Sequence, residues 1–261
     1  MNSLEILKHI NYKIYSSRFV QVLEGLANRI SFPRRGFPRN MVDHFMTSFT
    51  KGIPKQAMIL DAGAGNKPYE FLFKGNRYHT CDHPVSLDDV YENGKKISHS
   101  FFCDLSNMPV LDRKYDYIIC THVLEHAKTP SKIIEEFFRI LKPGGKVLLT
   151  VPQCFGRHMK PYIFYNFHAN GMQQLLEDAG FEVDSIDTIG GIFWLLGKVL
   201  SNATLIFWNR FGAFKIVLFP LYFALRTLLF INCFFLFHLD KLDNQKDWTL
   251  GYICLGSKKA K

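Results

Sequence analysis

The chain has 261 residues, a formal charge of +9 and 48% hydrophobic side chains. That is enough apolar material for a sizeable core in one large domain, or one domain with an appendage. The six cysteines, at 81, 103, 120, 154, 233 and 254, have neither metal-site nor redox-motif spacing. This excludes a cysteine metal centre and implies reduced thiols in a cytosolic setting.

The N-terminus shows no signal-peptide pattern, because Lys8, Lys13 and Arg18 interrupt its apolar residues. Residues 3–30 place Leu4, Leu7, Ile10, Ile14, Leu23, Leu26 and Ile30 at helical spacing, which predicts one or two amphipathic helices. Residues 31–40 read as a basic loop, with Pro33, Gly36 and Pro38 among Arg34, Arg35 and Arg39. A short helix over 41–50 follows. Residues 1–56 hold nine Lys or Arg against Glu5, Glu24 and Asp43, so six of the nine excess charges lie there. Such an asymmetry suits an anionic partner, such as a membrane surface, a phosphate-bearing lipid or nucleic acid; the plain alternative is a solvated basic face.

Strands and helices then alternate, with strands expected at about 57–61, 78–82, 99–103, 115–120, 145–151, 181–187 and 250–256. Alternation of this kind implies a mostly parallel sheet covered on both faces. The helix over 131–141 carries Ile133, Ile134, Phe137, Phe138 and Leu141 on one face, and the helix over 170–179 ends at Gly180. After the first strand comes Asp61-Ala-Gly63-Ala-Gly65-Asn-Lys67-Pro68-Tyr69, a tight turn in which Pro68 can open a helix. Asp61, Asp82, Asp104 and His122 all fall at or just past strand ends, where ligands bind in sheets of this kind.

With "DAGAGNKPY", "YDYIICTHVLEH" and "RILKPGGKVLLTVP" in that order, the chain resembles the class I S-adenosylmethionine-dependent methyltransferases over about residues 55–190. The resemblance implies a Rossmann-like α/β fold with a seven-stranded sheet and an N-terminal helical lid, and S-adenosyl-L-methionine as cofactor. Gly63 and Gly65 would let the methionine part approach the backbone. Asp61 would organise the turn or meet the ammonium, and Asp82 would accept the ribose hydroxyls. Asp104 would take the adenine amino group and the Leu105 N–H a ring nitrogen. Thr121 completes the cofactor-binding set. Lys67 stands where the family usually has a third glycine. A nicotinamide fingerprint would need its third glycine at Pro68.

Methyl transfer requires alignment of acceptor and methyl, and a base for a hydroxyl acceptor. His122, His126 and His158 are the candidates, with structural roles open to the "LEH" residues Glu125 and His126. The Asp, Glu and His clustered there could also hold a metal ion, although none is assigned. Family members often have arginine and threonine where Asn166 and His168 stand, so the acceptor pocket differs or activity is lost; His168 is a poor helix cap, a role Asn170 would take.

Between Gly190 and Leu239 the composition turns strongly apolar. The run 216–237 is long enough for a membrane span but contains Pro220 and Arg226. Lys198, Ser201, Asn202 and Asn209 share one helical face, as do Lys215, Tyr222 and Arg226. This predicts two helices lying monotopically in the cytosolic interface, polar faces toward the headgroups.

The expected layout is a basic helical region over 1–50, the cofactor-binding core over 51–189, the apolar insertion over 190–240, and the last strand with its tail over 241–261. The expected function is methyl transfer, most simply O-methylation, onto an amphipathic or lipid-linked small molecule at the cytoplasmic face of the membrane, such as a surface-glycan precursor. Methylation of a prenylated quinone ring is the second reading. A catalytically inactive membrane-bound protein that binds the cofactor is the third. Nucleic acid is not expected as a partner, since no Asn-Pro-Pro-Tyr-type motif follows the fourth strand.

Overall fold

The computed structural model describes residues 37–84, 91–92, 95–210 and 215–260. The helices expected over 3–30 and most of the basic loop lie outside them. The chain divides into two units, residues 41–189 with 249–261, and residues 190–248 with the described residues 37–40.

The first unit is a seven-stranded sheet. Its strands are β1 (Met58–Ala62), β2 (Arg77–Asp82), β5 (Phe101–Phe102), β6 (Tyr115–Thr121), β7 (Leu141–Pro152), β8 (Glu182–Thr188) and β9 (Gly251–Ser257). Two-residue strands β3 (Tyr91–Glu92) and β4 (Lys95–Lys96), which the sequence pattern does not announce, pair with each other as a separate two-stranded sheet. The sheet order is β5-β2-β1-β6-β7-β9-β8. All its pairs are parallel except β7–β9 and β8–β9. The order reverses between β1 and β6, so the carboxyl ends of β1, β2 and β6 open onto one crevice.

Two apolar layers hold the sheet. On one face Ile133, Ile134, Phe137 and Ile140 of α2 (Pro130–Ile140) and Met172 and Leu176 of α3 (Ala169–Asp178) join the strand residues Leu60, Ile118 and Leu149. The other face packs Val42 and Met46 of α1 (Phe37–Lys51) with Ile59, Ile119, Leu148 and Ile253. Helix α1 begins at Phe37, four residues before the expected start, because Pro38 suits the first turn of a helix. The end of α3 is a Schellman turn: Gly180 sits at φ +98° and the Phe181 N–H donates to the Leu176 carbonyl at 3.0 Å. Its start has no side-chain cap from His168.

The second unit is a helical hairpin between β8 and β9, made of α4 (Ile192–Arg210) and α5 (Lys215–Leu239). Its base is a polar clasp. The Asp240 carboxylate accepts the Gly191 N–H at 3.1 Å, Asp243 accepts the Ile192 N–H at 2.9 Å, and Lys246 pairs with Asp240. Part of each helix's polar face is turned inward, while Asn202 stays exposed. Arg226 is 2% exposed, and its Nη1 donates to the Ser201 carbonyl at 2.9 Å and to Thr204 Oγ1 at 2.7 Å. Ser201 and Tyr222 are buried as well. The expectation that Arg226 points to headgroups is therefore corrected: its side chain fills the helix–helix seam beside Ser201 and Thr204. Outward project Leu196, Val217, Leu221, Leu228, Phe234 and Phe235, all exposed.

Candidate active site

The turn after β1 is tied to the end of β2. The N–H groups of Gly63 and Ala64 donate to the Cys81 carbonyl at 2.9 and 3.1 Å, and the Gly65 N–H donates to Asp82 Oδ2 at 2.8 Å. Gly63 and Gly65 both have left-handed backbones, at φ +73° and +51°. Their surroundings differ. A Cβ on Gly63 would lie 2.4 Å from Val123 Cγ2, whereas one on Gly65 would meet nothing within 4 Å among the described residues. Only Gly65 therefore faces open space; Gly63 is a packing glycine, required by the loop after β6. Lys67 also adopts a positive φ, 52°, so the position that is usually glycine keeps the conformation without the residue. Pro68 does not open an α-helix: a single 3-10 turn, Glu70–Phe73, follows.

Asp61, next to last in β1, is 1% exposed; Tyr78 Oη donates to its carboxylate. Burial pushes the Asp61 carboxyl up to about 7, against the lowering effect of the Tyr78 hydrogen bond. Tyr78 is a part of the site that the sequence reading missed, and its only signal is its place in β2 opposite β1. Asp82 ends β2, and its Oδ1 accepts the His83 N–H at 2.7 Å. Asp104 is exposed after β5. Its Oδ1 accepts both the N–H and the hydroxyl of Ser106 at 2.8 Å, which holds its carboxyl below the usual range. The Leu105 side chain is buried in the core, so only its backbone can serve a ligand.

Thr121 is the last residue of β6. His122, at φ 54°, donates its N–H to the Thr150 carbonyl at 3.0 Å and leaves its ring exposed. Its Nδ1 stands 3.4 Å from Oε1 of Glu125, which is fully buried. The loop that follows β7 folds back over this corner: the Phe164 N–H donates to the Glu125 carbonyl at 2.8 Å. His126 and His158 meet edge to face with ring centroids 4.9 Å apart. The structure thus gathers the three histidine candidates around Glu125. Phe155, Met159, Tyr162, Phe164 and Tyr165 are exposed along the same loop. That apolar rim is a second feature the sequence reading passed over. Asn166 Nδ2 donates to the Phe155 carbonyl at 3.5 Å, which makes it part of the loop's own bonding.

A switch-point crevice, a glycine turn with one open glycine and a carboxylate at the end of each of the first two strands define a nucleotide-cofactor site of the methyltransferase type. A family model described as "Methyltransferase domain" matches residues 34–186, and the chain belongs to that family. Over 111 residues it is 34% identical to a tRNA (carboxymethyluridine(34)-5-O)-methyltransferase of Arabidopsis thaliana, covering 41% of this chain and 26% of that protein. Over 66 residues it is 33% identical to a ubiquinone biosynthesis O-methyltransferase of Pseudomonas fluorescens, covering 25% of this chain and 27% of that protein. The chain thus spans about a quarter of the length of either relative. A candidate sarcosine dimethylglycine methyltransferase from Galdieria sulphuraria shares the fold with a TM-score of 0.53 at 17% identity, over 84% of this chain and 85% of that one. The cofactor is S-adenosylmethionine. The residues present fit it: Gly65 leaves room against the backbone, and Asp61 is a buried acid whose charged form wants a cation such as an ammonium.

Proposed function

We propose that this methyltransferase works from the membrane and methylates an oxygen of an amphipathic small molecule, of the class of lipid-linked saccharides or surface-glycan precursors. The observation that carries this reading is the inside-out hairpin. Polar Ser201, Thr204 and Arg226 face inward while large apolar side chains face outward, the reverse of a helix pair built for water. At about 1.5 Å per residue, the 19 residues of α4 and 25 of α5 are roughly 28 and 37 Å long, comparable with a hydrocarbon core of about 30 Å. The run Val217–Leu242 meets the length and composition of a membrane span.

The hairpin leaves and returns to strands β8 and β9, which pair with each other. In this reading it therefore enters and leaves by one face, with both strands on the same side, which we take to be the cytosolic one. The hairpin is immersed as a unit, instead of lying flat with polar faces up.

In this reading Asp61 takes the cofactor ammonium, Gly65 lies against its methionine part, Asp82 accepts the ribose hydroxyls, and Asp104 with the Leu105 N–H holds the adenine. Thr121 closes the floor. S-adenosylmethionine, when bound, supplies an electrophilic methyl group. His122 takes the acceptor's proton. It is exposed at the end of β6, and the adjoining Glu125 carboxylate steadies the imidazolium that forms. The aromatic rim from Phe155 to Tyr165 holds the apolar part of the acceptor.

The similarity to the ubiquinone enzyme favours a second acceptor, a prenylated quinone ring, which needs the same base and the same access from the membrane. The test compares the native chain with Phe234→Arg/Phe235→Arg in membrane vesicles supplied with labelled cofactor. The expected result is loss of methyl incorporation into vesicle lipids with unchanged cofactor affinity. Undiminished incorporation by the variant would overturn the membrane-held reading.

A further inference from the structure

We propose that Glu125, His126 and His158 bind a divalent transition-metal ion, of the zinc class, beside the acceptor site. Each offers one ligand atom, and the three atoms lie within 4.8 Å of one another. Two independent features single the cluster out. The first is Glu125. It is fully buried, and neither carboxylate oxygen has a hydrogen-bond partner among the described residues; its nearest charged neighbour is His122, at 3.4 Å. A carboxylate taken from water without a donor is paired or bound to a cation wherever it persists.

The second feature is the way the histidines are held. His126 Nδ1 faces the Tyr162 carbonyl, and His158 Nδ1 faces the Gly156 carbonyl at 3.1 Å. A carbonyl can only accept, so in the neutral rings the proton sits on both Nδ1 atoms and the lone pair on both Nε2 atoms. Metal-binding histidines are oriented in this manner, with the far nitrogen donating to a backbone carbonyl. His126 would otherwise be a half-buried ring at the end of a 3-10 turn. His158 would be a loop residue with no reason to stand edge-on to His126.

Two imidazole nitrogens and one carboxylate oxygen suit zinc and its first-row neighbours better than magnesium or calcium, which prefer all-oxygen shells. Ligand bonds of about 2.0–2.2 Å require the three atoms to close by roughly 1 Å from their present spacing. His158 lies on the loop after β7 and His126 is half-buried, so neither is locked in the core. Three protein ligands leave a position open to an outside oxygen. Resting on the O-methyl reading above, that position takes the acceptor oxygen and makes its hydroxyl easier to deprotonate by His122.

The experiment uses the full chain in detergent micelles, stripped of metal by dialysis against a chelator. Zinc is titrated by calorimetry, and cobalt is added separately to read its visible absorption. The expected result is one equivalent of zinc per chain and a cobalt spectrum of a mixed nitrogen–oxygen site. Glu125→Gln and the pair His126→Ala/His158→Ala should each lower zinc affinity at least tenfold, with cofactor affinity unchanged as the check on folding. Absence of stoichiometric binding, or equal affinity in the variants with cofactor binding intact, would overturn the proposal. Metal binding without any methylated oxygen in the product would leave the site standing and refute the acceptor reading instead.

Discussion

Gly63→Ala tests the reading of the turn most sharply. At φ +73° the alanine costs about 1–2 kcal/mol for the left-handed backbone alone. Its methyl would stand 2.4 Å from Val123 Cγ2, more than 1 Å inside the usual carbon–carbon separation of about 3.5–4.0 Å. Relief of such an overlap typically costs about 1–3 kcal/mol. The sum, roughly 2–5 kcal/mol, is a large share of a total stability of about 5–15 kcal/mol. At about 2–4 °C per kcal/mol for a domain of this size, the melting temperature should fall by roughly 5–20 °C. Val123→Ala removes the side chain that collides. A double-mutant cycle followed by thermal unfolding in detergent should therefore return the steric part, about 1–3 kcal/mol, and leave the backbone part. Gly63→Ala melting with the native chain, or an additive cycle, would refute the close packing of the two loops.

Further outcomes follow from the same geometry. Gly65→Ala meets no neighbour among the described residues, so it should lose only about 1–2 kcal/mol of stability yet bind cofactor much more weakly; calorimetry showing native affinity would remove Gly65 from the site. Asp82→Ala takes away the proposed ribose acceptor and the partner of the Gly65 N–H. It should weaken binding by about 10–100-fold, the equivalent of a charged hydrogen bond of about 1.5–3 kcal/mol. For Asp61, a folded-state carboxyl near 7 against 3.8 in the unfolded chain means that the native state holds the extra proton between those values. Its stabilising contribution is present below pH 3.8 and is lost as pH rises through 7. An ammonium ligand prefers the carboxylate, so cofactor affinity should rise between pH 6 and 8 with proton release, and Asp61→Asn should abolish that release in calorimetry run in two buffers. Neighbouring positions 225 and 226 should respond oppositely: Leu225→Arg puts a charge on the outward face at about 2.5–3.5 kcal/mol, while Arg226→Met removes a buried charge and leaves retention in alkaline-washed membranes intact.

Much of the core was legible because apolar runs ending in an acid or a glycine turn encode strand, turn and sheet position together. All seven sheet strands fall within a few residues of their expected places, and Asp61, Asp82, Asp104 and His122 fall at or just past strand ends as read. What could not be read was which neighbour each side chain meets. The sequence pairs Gly63 with Gly65; only the fold shows that Val123 presses on one and open space faces the other. Helical periodicity found the polar face of the insertion, but periodicity has no sign. It cannot say whether that face meets headgroups or a second helix, and Arg226 shows the latter. His158 is 32 residues beyond His126 in the chain, and their approach depends on how the loop after β7 folds back.

The central claim is methyl transfer to an acceptor held in the membrane. It is tested most directly by incubating the full chain with isotopically labelled S-adenosylmethionine and membranes, then separating solvent-extractable lipids, water-soluble small molecules and RNA for mass spectrometry. Label on an oxygen of a lipid-phase saccharide carrier, and far less with Asp82→Ala at the same cofactor concentration, is the predicted result. Label confined to the aqueous small molecules or to RNA would contradict it.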